Sequence, residues 1–199
     1  MNAYQNFLDF FSMNNHERLD GLSDIYFTGM TMQERSMAFD YLLKLVNDGG
    51  SRETVHGLFL ADAARAAPIV RDLLEAHKLR DDAEIAAAWN LQQIAPDDAL
   101  LSVFIRLMSS TDKYNRANAA FYVPADVFTA ELDAALKSMI RTETETLPLV
   151  NAINKLLECH GITRESVDKE KFSHFYLGLR SDEARDKEAI FEELDCLPG

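Results

Sequence analysis

The chain has 199 residues, 47% of them hydrophobic and 27% charged, an ordinary balance for a chain large enough to bury its own core. Its formal net charge of −13 opposes recognition of DNA or RNA, because affinity for phosphates comes from lysine and arginine displacing counterions, and no local basic patch interrupts the acidic surplus. Cys159 and Cys196 form no spaced pair, no basic segment followed by an apolar run opens the sequence, and the stretch 83–95 is too short and too polar to span a bilayer. The expectation is a cytoplasmic protein with reduced thiols and no membrane contact.

In chain order, the aromatic cluster Tyr4, Phe7, Leu8, Phe10 and Phe11 reads as an N-terminal cap. Its flanking residues, Asp9, Asn14 and Asn15, lack the lysine or arginine that an interfacial helix carries on its polar face. Thr31 and Glu34 have the spacing of a capping box and start a helix whose stripe is Ala38, Tyr41, Leu42 and Leu45, closed near Gly49-Gly50. Segments 51–62 and 66–79 follow, the second with Ile69, Val70, Leu73, Leu74 and His77 at helical spacing. A third pair covers 81–95 and 97–109, with Pro96 in the turn and Leu100, Val103, Phe104, Leu107 and Met108 as its stripe. A fourth covers 112–123 and 124–140, where Phe128, Leu132, Ala135, Leu136 and Met139 supply the apolar face. Thr142 and Glu145 give a second capping box before Leu149, Ile153, Leu156 and Leu157, and Gly161 ends that helix. Residues 164–199 make two irregular helices.

No run alternates as a half-buried strand would, so the class is all-α. The stripes are themselves periodic: Leu42, Leu73, Phe104 and Leu136 are spaced by 31, 31 and 32 residues, and Leu60, Leu91 and Val123 repeat that register. A period of this length marks units that bury their faces on one another, with capping segments where the array ends. The expected organisation is one domain, 1–199, with a cap at 1–30, repeats at 31–160 and a cap at 161–199.

Helical hairpins of about 31 residues with short turns and no strand resemble the short bacterial HEAT-like repeats, over roughly residues 16–160. Tetratricopeptide and armadillo-like arrays share the general pattern, but the tryptophan, glycine and tyrosine signature of tetratricopeptides and the Thr-Pro-Leu-His of ankyrins are absent. The resemblance implies a right-handed α-solenoid, an α-α superhelix of stacked hairpins, and chiefly protein binding: scaffolds, regulators, cofactor-attachment helpers and bacterial immunity proteins. The alkylpurine DNA glycosylases of this class grip duplexes in basic grooves, the reverse of this charge.

Catalytic signatures are missing. The histidines, His16, His56, His77, His160 and His174, include no pair four apart, no phosphate-cradling loop or nucleophile elbow occurs, and neither a metal nor another cofactor is expected. On a helix Cys159 and His160 diverge by about 100 degrees, so Cys159 reads as a small buried apolar residue. The doublets Asp81-Asp82 and Asp97-Asp98 read as helix caps, the acids of 181–195 as a solvated face or an acidic docking surface, and Trp89 as a gap filler between helices.

Lys44, Glu75 and Arg106 hold equivalent positions outside the stripes of successive second helices and should form an exposed ladder. In HEAT-like arrays second helices line the concave face, so the resemblance implies that this ladder, with Asp40, Tyr41, Asp72, Asp133 and Lys137, contacts a protein partner. The functional expectation is a non-enzymatic immunity protein that captures a basic toxin through its acidic surface. Two alternatives stay open: an adaptor or assembly scaffold, and an enzyme or small-ligand protein using groove carboxylates.

Overall fold

Two backbone amides at position 31 and one turn beyond would lack partners in a bare helix start, and Thr31 and Glu34 satisfy both. In the computed structural model, which describes residues 3–13 and 21–197, the Glu34 amide donates to the Thr31 hydroxyl at 3.2 Å and the Thr31 amide donates to the Glu34 carboxylate at 2.8 Å. The chain is all-α: the described residues form ten α-helices and two 3-10 turns, with no strand and no helix long and apolar enough to cross a membrane. Asn14, Asn15 and His16 lie outside the described residues. Two compact units divide the chain, Met1–Pro96 and Asp97–Gly199.

The first unit holds α1 (Ala3–Phe10), α2 (Met32–Asn47), α3 (Arg52–Glu75) and α4 (Asp81–Ile94). Phe7 and Phe10 of α1 are fully buried, Phe7 against Phe27 and Phe10 against Tyr26. Helix α3 breaks at Asp62, whose extended backbone (φ −161°, ψ 94°) separates two helical halves and whose carboxylate accepts from the Arg65 amide to cap the second. The first half lies along α4: the Arg52 amide donates to Asp82, and four residues on His56 meets Asn90 at 3.2 Å. Both partners advance together, so these helices run in the same direction. On either side of the break α3 meets α2, where Arg35 donates to the Leu60 carbonyl and Arg65 to Asp40. At Gly57 a Cβ would lie 2.4 Å from Leu22 Cδ2 and 3.2 Å from Leu42 Cδ1, which is why glycine occupies this helix interior despite its entropic cost.

The second unit holds α5 (Leu101–Leu107), α6 (Lys113–Tyr122), α7 (Ala130–Thr142), α8 (Thr146–Cys159), α9 (Lys169–Arg180) and α10 (Ala184–Asp195). Alternate helices pack, α5 on α7 and α6 on α8, while α8, α9 and α10 pack in sequence and α10 returns to α7. Contacts of Lys113 with Glu145 and of Asn151 with the Ala117 carbonyl show α6 and α8 running in the same direction.

Four details depart from the sequence expectation. Helix α7 begins at Ala130 and not at 124, because the Thr129 hydroxyl accepts from the Leu132 amide; Phe128 therefore precedes the helix and is exposed. Thr142 is the last residue of α7, its hydroxyl donating back to the Ser138 carbonyl, so it forms no capping box with Glu145. The amides of Thr144 and Glu145 donate to Glu143 instead. Finally, α3 ends at Glu75, and His77 leaves the apolar face to take the left-handed turn (φ 50°) that lets the Lys78 amide reach the Leu73 carbonyl.

Candidate functional site

The eight side chains expected to meet a partner fall in different surroundings. Asp40 is exposed and pairs with Arg65 at 3.3 Å, and the Arg65 guanidinium in turn lies 4.0 Å over the Phe39 ring. Tyr41 is half-buried beneath α1, with Phe7 and Phe11 at centroid distances of 5.9 and 5.4 Å, so the N-terminal aromatic cluster covers its ring. Lys44, Asp72 and Glu75 are exposed on α2 and α3, and Arg106 is exposed on α5. The ladder is thus divided between the units, Lys44 and Glu75 in the first and Arg106 in the second.

Lys137 requires a correction, since it is buried and not part of an exposed ladder. It lies one turn after Asp133 on α7, and α10 passes beside both. Its ammonium contacts Asp133 Oδ2 at 2.8 Å and Asp195 Oδ1 at 2.5 Å. Burial pulls the Lys137 ammonium toward neutrality, but its hydrogen bonds to the two carboxylates outweigh that and hold its pKa above the ordinary lysine value. One turn further along α7, Arg141 Nε and Nη2 grip both oxygens of Glu188 at 2.6 and 2.8 Å. That pairing raises the arginine and lowers Glu188 below the usual carboxylate range. The Phe191 ring lies between these pairs, 4.6 Å from the Arg141 guanidinium and 5.8 Å from Lys137 Nζ. Lys187, also buried, donates to the Ile140 carbonyl at 2.9 Å. The pairing runs 137 with 195 and 141 with 188, so α7 and α10 are antiparallel.

The end of α8 closes this cluster. His160, the residue that caps α8, places Nε2 3.5 Å from Asp133 Oδ1, and its ring meets Phe128 edge-on at 5.0 Å. Neighbouring Cys159 is half-buried, and desolvation pushes its thiol up to about 11, which keeps it un-ionised at neutral pH. Sequence spacing does not reveal the set Asp133, His160 and Asp195, because its members are 27 and 35 residues apart (160 − 133 and 195 − 160) and sit on three helices.

A second polar joint holds α6 to the α7–α8 turn. Arg116 donates to both Glu143 oxygens, at 2.6 and 3.0 Å, and to the carbonyls of Ser110 and Thr111. The hydrogen bonds from Arg116 hold Glu143 below the usual carboxylate range. This pair borders a cleft of about 450 Å³ that Ile105, Met108, Ser138 and Met139 also line. With Glu143 and two carbonyls taking its donors, Arg116 is a fastener of the cleft wall. Trp89 is half-buried between α3 and α4, in ring contact with His56 at 5.6 Å. Asp97 caps its own turn through the Ala99 amide, whereas Asp82 accepts from the first amide of α3.

Set beside protein-family models, curated proteins and solved structures, the chain matches none of them.

Proposed function

We propose that this chain is a non-enzymatic, cytoplasmic protein-binding module built of HEAT-like helical hairpins, and that it docks a basic protein through its acidic surface. The most concrete form of this reading is a bacterial immunity protein that occludes a cognate toxin. The observation that carries it is the acidic surplus. The ion pairs of Arg65, Arg116, Lys137 and Arg141 each take up at least one acid, and Asp72, Glu75, Asp182, Glu183 and Glu192 are exposed besides. A formal net charge of −13 gives a field that speeds capture of a basic partner. Parallel contacts between α3 and α4 and between α6 and α8, at separations of 30 to 34 residues, support the repeat reading.

Co-expression with the product of the adjacent open reading frame tests the proposal. The expected result is one tight complex and rescue of cells from that product. Lysine substitutions at Asp72, Glu75 and Glu192 should slow association, most visibly at low salt. Several weak partners in place of one would favour an adaptor, and a harmless neighbour that does not associate would remove the immunity assignment.

A further inference from the structure

We propose that Asp133, His160 and Asp195 form a binding site for a divalent cation of the zinc type, where the start of α7 meets the ends of α8 and α10. One ligand atom from each residue lies within 4.8 Å of the others. Asp133 Oδ1 and His160 Nε2 are sealed from solvent, face each other at 3.5 Å and have no hydrogen-bond partner. Leaving two such atoms unsatisfied costs free energy, and a cation between them satisfies both. Their separation suits the role, because tetrahedral zinc with bonds of about 2.0–2.1 Å sets its ligand atoms about 3.4 Å apart.

Further features favour a cation here. The donor set of one imidazole and two carboxylates is one that zinc accepts, with a fourth position open to water. Lys137 bonds Asp133 Oδ2 and Asp195 Oδ1, which fixes both carboxylates while leaving each a second oxygen, as outer-shell partners of metal ligands do. Asp133, Asp195 and Lys137 together carry a formal charge of −1, so a divalent ion does not enter a cationic site. His160 and Asp195 stand at the C-terminal ends of α8 and α10, where the helix dipoles present partial negative charge. Asp195 is more than half exposed, so its side chain has room to close on the ion. A bound ion would tie three helices together and stabilise the fold by mass action.

The test uses the full chain without an affinity tag, stripped with a chelator and titrated with Zn²⁺, with Co²⁺ as the visible probe. The expected result is one Zn²⁺ per chain, a raised Tm and Co²⁺ absorption bands of tetrahedral nitrogen and oxygen coordination. Binding should weaken at least about tenfold in His160→Gln and in Asp195→Asn. It should persist in His174→Gln, which breaks the exposed His174–Glu193 pair on α9 and α10. If His160→Gln does not fold, Asp195→Asn decides, since its side chain is mostly in water. No stoichiometric binding by the native chain, binding unchanged in Asp195→Asn, or binding lost in His174→Gln would overturn the proposal.

Discussion

Two helix joints in this protein solve the same packing problem with opposite chemistry. Where α3 meets α4, Ala83, Ala86 and Ala87 lie on the same side of α4 as Asn90 and are all buried, and polar contacts there include His56 with Asn90 and the Arg52 amide with Asp82. Where α7 meets α10, Lys137, Arg141 and Lys187 reach across to Asp195, Glu188 and the Ile140 carbonyl around Phe191. The first joint is made between parallel helices whose contacts are 30 and 34 residues apart, and small side chains line it. The second is made by an antiparallel helix whose contacts are 47 and 58 residues apart, and long charged side chains bridge to it. The α10 joint thus adds charged bridges to the buried Ile190, Phe191 and Leu194, whereas the α4 joint has no such bridge among the contacts named above.

The sharpest way to break the contrast is to delete one charge from the second joint and crowd the first. Lys137→Ala leaves Asp133 and Asp195 facing each other without their shared cation. We expect a loss of about 3 kcal/mol in urea unfolding, at the low end of what unpairing buried charges costs because Asp195 is partly solvated. Ala87→Leu, at a fully buried position, should cost about 1–3 kcal/mol through overpacking, with no added salt dependence. Were Lys137→Ala nearly neutral, the α10 joint would rest on Ile190, Phe191 and Leu194 alone, and the contrast would fail.

Acid should act next on a third joint, the pair of Arg116 and Glu143 that holds α6 to the α7–α8 turn. Glu143 has its pKa depressed in the folded chain, so it adds stability above the ordinary carboxylate range, and that contribution disappears as the pH falls through its folded value. Its side chain is only 4% exposed, so solvent screens the pair with Arg116 weakly. Glu143→Gln should therefore cost about 1–2 kcal/mol at neutral pH and progressively less toward acid, flattening the low-pH limb of a plot of stability against pH. An unchanged limb would mean that Arg116 is held by the Ser110 and Thr111 carbonyls and not by the carboxylate.

What the sequence discloses follows the range of the interaction. Local stripes and stops disclose the helices, and Arg52 with Asp82 and Lys113 with Glu145 join residues 30 and 32 apart, near the spacing of the stripes. The burial of Lys137 was not legible, because it depends on α10, which returns from 58 residues away. The same holds for His160 beside Asp133, which no local spacing rule can find. Phe128 and His77 fall outside their helices for a nearer reason. Each sits at a helical interval from a true stripe, just beyond the residue where the backbone ends or begins the helix. Periodicity reports a face, whereas caps and left-handed residues set its limits.

That last distinction has a small, clean test in the two threonines that share one sequence signature. Thr31 and Thr142 are each followed three residues later by glutamate, yet only Thr31 accepts the amide of its partner. Thr31→Ala should cost about 1 kcal/mol, because the Glu34 amide loses its acceptor and the geometry that brings the Glu34 carboxylate to the Thr31 amide is loosened. The Thr142 hydroxyl only donates to a carbonyl already in the helical ladder, so Thr142→Ala should stay within about 0.5 kcal/mol. Equal losses at the two positions would mean that the signature itself, and not the hydrogen bond it makes at Thr31, carries the stability.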